Sequence, residues 1–121
     1  MGFAITKGDA VDQYTLTTRA GDSFSRPVRL LEDDGSTPVN LTGASVEWAL
    51  ATRGAAEQWA DDSHVRITNA AEGRIALRLT PNETREFYGR SWRYEVTVTF
   101  ADASRLTVLE GVFSVNREAV A

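Results

Sequence analysis

Ser63 and the only histidine, His64, follow directly on Asp61-Asp62, placing a hydroxyl, an imidazole and two carboxylates in one tetrapeptide. A Ser-His-Asp relay needs such groups to converge on one reacting atom. On an extended segment, neighbouring side chains point to opposite faces, so Ser63 and His64 diverge. No Gly-x-Ser-x-Gly elbow accompanies them, and His64 is expected to be a surface residue at the start of a strand. Glu83, Glu86, Glu95 and Glu110 could in principle supply the paired carboxylates of a glycosidase. Glu95 and Glu110, however, fall on alternations that face solvent beside Arg93 and Arg105, where cross-strand ion pairing accounts for them. Asp33-Asp34 is followed by Gly35 and lacks the alternating ligand spacing of a calcium loop, so it reads as a turn. No catalytic residue, metal-ligand set or cofactor site is assigned.

The aromatic residues offer binding instead of reaction. Trp48 and Trp92 lie on inward-facing alternations and belong to the core. Trp59 lies in a polar stretch with Glu57, Gln58 and Asp61. It is the expected anchor for a partner surface, since an exposed Trp is a common interface hot spot; the competing expectation is that it folds back onto the core. Phe3 and Ile5, in the N-terminal stretch, are the other two expected partner contacts, each contributing about 1.5–3 kcal/mol if an arm docks and buries them fully.

Composition removes whole classes of function. There is no cysteine, hence no disulfide, thiolate nucleophile or cysteine-bound zinc. The net charge is -4, and 12 of the 13 cations are Arg, scattered along the chain. No basic run tracks a phosphate backbone, so nucleic acid is not an expected partner. No apolar run approaches the ~20 residues needed to span a bilayer, and the N-terminus has no signal-peptide core, so no membrane association is expected. With 121 residues the chain is the size of one domain and can bury a core unaided.

The elements that must carry these side chains are mostly strands. Tyr14–Arg19, Ser23–Glu32, Ala44–Leu50, Val65–Ile67, Ile75–Leu79 and Trp92–Phe100 alternate apolar with polar residues. Pro27 marks the second of these as an edge strand or a bulge. Residues 52–63 are expected as a loop or short helical excursion, and Val65–Leu79 as a hairpin. Thr80-Pro81-Asn82-Glu83 has capping-box spacing, predicting one helical turn closed by Gly89. Leu106 and Val108 face one way, Leu109, Phe113 and Val115 the other, so the face switches near Glu110-Gly111, and a bulge at Gly111 or a strand break is expected there. About seven to eight strands in so short a chain predict an all-β, immunoglobulin-like antiparallel β-sandwich over 14–116, with a closed barrel as the alternative. Residues 1–13 are expected as an arm or linker and 117–121 as a tail.

The order of these pieces resembles the small Ig-like β-sandwich domains of tailed-phage virions, similar to the N-terminal domain of baseplate upper proteins. The resemblance rests on Phe24–Leu31, Asp33-Asp34-Gly35, Pro38-Val39-Asn40-Leu41-Thr42-Gly43-Ala44-Ser45-Val46, Ala71-Glu72-Gly73-Arg74-Ile75, Tyr94–Val98 and Leu109-Glu110-Gly111-Val112-Phe113-Ser114-Val115. It covers roughly 14–116, with Asn40 where Asp is commoner. It implies a non-enzymatic structural protein of a phage or phage-like particle, a tail or baseplate component located in the virion. Its partners would be other virion structural proteins, in a homo-oligomer or symmetric array. A capsid decoration protein or a carbohydrate-binding, adhesive Ig-like module is the alternative.

Overall fold

The computed structural model describes residues 3–6, 14–60 and 62–117. Lys7, the Gly8-Asp9 turn, Asp61, residues 118–121 and the side chains of Phe3 and Ile5 lie outside the described residues. Among the described residues, nine strands and one helix follow in order: β1 (Phe3–Thr6), β2 (Leu16–Arg19), β3 (Phe24–Leu31), β4 (Ser45–Thr52), β5 (Ala55–Trp59), β6 (Val65–Asn69), β7 (Arg74–Leu79), α1 (Pro81–Glu86), β8 (Ser91–Thr99) and β9 (Arg105–Asn116). They form two sheets, of order β1-β3-β7-β6 and β2-β9-β8-β4-β5. The expected all-β sandwich is present.

Alternation drives the packing. Trp92, Tyr94, Val96 and Val98 of β8 are buried while Arg93 and Glu95 are exposed, and Val46, Trp48 and Leu50 of β4 are buried in the same way. They meet Phe24, Val28 and Leu30 of β3 and Ile75, Leu77 and Leu79 of β7 in one core. Val39 and Leu41, from the Pro38–Val46 passage, are buried in it as well. That passage is pinned by Val39 N–H donating to the Leu30 carbonyl at 2.9 Å and Leu41 N–H to the Ala70 carbonyl at 2.8 Å.

Five details differ from the sequence expectation. Residues 52–63, expected as a loop or short helical excursion, contain β5, antiparallel to β4 with Trp48 opposite Trp59. Pairing is not wholly antiparallel, since β1 runs parallel to β3 and β2 parallel to β9. The expected arm thus contains β1, an edge strand. Strand β3, for its part, lies between β1 and β7. Pro27 is tolerated there by register. Arg78 N–H donates to the His64 carbonyl at 2.8 Å, so the even-numbered β7 residues turn their backbone groups to β6. Ala76, the partner of Pro27, therefore leaves Pro27 at a non-hydrogen-bonded position of the β3–β7 ladder, where no amide proton is required. Finally, the bulge in β9 falls at Val108. Val96 pairs with Leu109 and Thr97 with Thr107, so Val108 is the extra residue and both Val108 and Leu109 turn inward.

Helix α1 starts as expected. Thr80 is its N-cap, Glu83 N–H donates to Thr80 Oγ1 at 3.3 Å, and Thr80 N–H donates to Glu83 Oε1 at 2.8 Å. Its one buried polar residue, Thr84, ties the helix to the β2–β3 turn. The Thr84 hydroxyl accepts from Gly21 N–H at 3.0 Å and lies 2.9 Å from the Asp22 carbonyl oxygen.

Candidate functional site

The end of the sandwich where β5, α1 and the start of β6 meet gathers the residues that most resemble a chemical site. His64 is not on the open surface. Its ring stacks on Trp59 with centroids 4.6 Å apart and planes 9° from parallel. Its Nε2 hydrogen-bonds Glu83 Oε2, and the two side chains are 16% and 25% exposed. Burial works to raise the Glu83 carboxyl, but hydrogen bonds from the Thr80 backbone, from His64 and from the Thr80 side chain, with the His64 charge, outweigh it and hold it below its usual value. A carboxylate that stays ionised is an acceptor, so His64 Nε2 donates. The imidazole is thus committed to a structural bond that joins β6 to the helix cap. Ser63 and Asp62 are exposed, and no Ser-His-Asp relay forms among the described residues.

Trp59 is half-buried and packs on the core. Besides the His64 stack, its ring lies 5.0 Å from that of Trp48 and meets the Phe87 ring edge-on at 5.8 Å. The indole therefore packs against the core and is only partly accessible. Trp48 and Trp92 are core residues as expected, 0% and 5% exposed, and Trp92 Nε1–H donates to the Phe87 carbonyl at 3.1 Å. For Phe3 and Ile5, the structure gives the backbone register alone, opposite Val28 and Leu30.

The carboxylates separate into turn, fold and surface. Asp34 organises its turn by accepting from Ser36 N–H at 2.9 Å and Thr37 N–H at 2.8 Å. Hydrogen bonds from the Thr37 side chain, the Thr37 backbone and the Ser36 backbone bring its pKa down from 3.8 to about 2. Glu95 and Glu110 do not make the expected ion pairs with Arg93 and Arg105: Arg105 instead binds Glu47 at 3.2 Å, and the two glutamates stand opposite each other across β8 and β9. Among the described residues no group of three or more His, Cys, Asp or Glu side chains could hold a metal ion. No helix of the described residues is long and apolar enough to cross a membrane.

A second buried polar point went unread in the sequence. Tyr94, 1% exposed, donates its hydroxyl proton to the Tyr14 carbonyl at 2.7 Å, and burial holds its phenol well above the usual range. Tyr14 N–H donates to the Glu110 carbonyl at 2.9 Å, so the segment leading into β2 is fixed across β9. The aromatic at an inward position of β8 was visible as core; its hydroxyl partner, 80 residues away, had no local signal.

No family model matches the chain, and no curated protein matches it in sequence. Among solved structures it is similar to the N-terminal domain of phage TP901-1 ORF48, with a TM-score of 0.56 and 12% identity over 96% of this chain and 99% of that one. The likeness is one of fold: the sandwich described above, from end to end, is the fold of that phage domain.

Proposed function

We propose that the chain is a non-enzymatic structural module of a tailed phage or phage-like particle, a tail or baseplate component that docks onto other virion proteins. The observation that carries this reading is the likeness to a phage domain over 96% of this chain and 99% of that one. The site geometry supports it, because the one imidazole is spent on a structural bond to Glu83. In this reading β1 and the half-buried Trp59 of β5 are contact elements at opposite edges of the sandwich, with Phe3 and Ile5 as the apolar contacts of β1.

Deletion of residues 2–12 tests it. The truncated chain is expected to keep its far-ultraviolet circular dichroism, because β3 retains β7 as a partner, and to be lost from purified particles. Full incorporation of the truncated chain contradicts the role given to β1. A glycan-binding role would instead require an exposed aromatic platform, and the stacking of His64 on Trp59 together with its contacts to Trp48 and Phe87 does not favour one.

A further inference from the structure

The outer face of the five-stranded sheet has an arrangement that the core does not require. The small side chains of Ala49 and Ala51 on β4 leave a depression of about 210 Å³, mostly apolar, rimmed by Arg93, Glu95 and Glu110. Register places Ala49 beside Glu95, and Glu95 opposite Glu110. The Glu110 carbonyl accepts from Tyr14 N–H on the β2 side, so Glu110 turns its backbone groups away from β8. Glu95 and Glu110 are therefore a non-hydrogen-bonded pair, the kind in which opposed side chains come closest. Like charges so placed oppose folding. Neither carboxylate has a hydrogen bond or ion pair among the described residues, and Arg105 is engaged by Glu47.

We propose that this depression is a docking groove for a peptide segment of another virion protein that presents an Arg or Lys side chain between small apolar residues. The apolar portion lies on Ala49 and Ala51. The cation sits between Glu95 and Glu110 and removes their repulsion, and an acidic group of the segment can meet Arg93. Charge complementarity selects this occupant: two opposed carboxylates repel a phosphate backbone, and the one aromatic lining the depression, Tyr94, is buried and offers no stacking face to a sugar. The inference rests on the virion reading for the identity of the partner alone.

The test is a titration of the ¹⁵N-labelled full chain with an acetylated peptide of alternating Ala and Arg, with an alternating Ala and Glu peptide as control. Amide shifts are expected to concentrate at Ala49, Ala51, Glu95 and Glu110, to fade with added salt, and to fall to the control level in the E95Q/E110Q variant. That variant is expected to melt no lower than the parent, because the cross-strand repulsion is gone. Ala49→Arg, which supplies a cation from within, is expected to block binding with both glutamates intact. Shifts spread over acidic residues generally, or persisting in E95Q/E110Q, overturn the proposal, as does a lowered melting temperature showing that the glutamates serve the fold. Peptide binding at this face by a chain absent from particles contradicts the virion reading alone. Incorporation that survives E95Q/E110Q together with loss of peptide binding contradicts the groove's role in assembly alone.

Discussion

A Cβ at position 111 would stand 2.1 Å from the Tyr14 carbonyl oxygen and 2.8 Å from its carbon, so glycine there is a condition for Tyr14 to cross β9. Gly111→Ala is expected to cost about 2–4 kcal/mol, read as a lower denaturant midpoint with little change in m-value. Tyr94→Phe removes the hydroxyl that donates to that same carbonyl and is expected to cost about 1–2 kcal/mol. The sequence marks Gly111 as a break in β9 but assigns it the wrong cause, since the bulge is at Val108 and the glycine serves a close approach. Acid tests two other residues. Asp34 and Glu83 both have folded-state pKa values below their ordinary ones, so their contributions are fully present above the unfolded pKa and are lost as pH falls through the folded one. Stability should therefore decline from about pH 4.5 toward pH 2, and Glu83→Gln and Asp34→Asn should each flatten part of that slope in denaturant titrations. An unchanged slope in both variants would contradict the assignment.

Strand β5 shows how tertiary structure can override local preference. Ala55, Ala56, Glu57 and Gln58 are better helix formers than strand formers, and nothing in their order signals a sheet. They are extended because Trp59 pairs with Trp48 and stacks on His64, which ties the end of the strand to the core. Trp59→Ala is expected to cost about 1–3 kcal/mol, less than a full core truncation because the ring is half-buried. It should also speed hydrogen exchange at the β5 amides bonded to β4; unchanged exchange would mean that the strand holds without its anchor. Elements with their own local signal were legible: the β6–β7 hairpin from its alternation, and α1 from its capping box, whose Thr80→Ala variant is expected to lose about 1 kcal/mol. The parallel strands β1 and β2 were not legible as such, since four residues against a distant partner carry no period that distinguishes parallel from antiparallel.

At the scale of the molecule, the alternation of β4, β7 and β8 was enough to predict two packed sheets, and the fold is shared with a phage domain at 12% identity. Sheet order and register depend on which distant strands meet, and that information lies in complementary surfaces such as the Trp48–Trp59 pair, outside any local window. The surroundings of the candidate residues were legible only in part. The packing of Trp59 on the core was one of two expectations, its stacking on His64 was not foreseen, and the opposed Glu95 and Glu110 were read as ion-paired because their cross-strand partners were unknown. The proposed virion role makes this sandwich a stoichiometric part of a particle, which quantitative mass spectrometry can read directly on gradient-purified, salt-washed particles from cells producing the phage proteins together with this chain. A fixed copy number per particle, retained through the wash, is the predicted result; absence from the particles, or a trace amount that varies between preparations, would contradict the account.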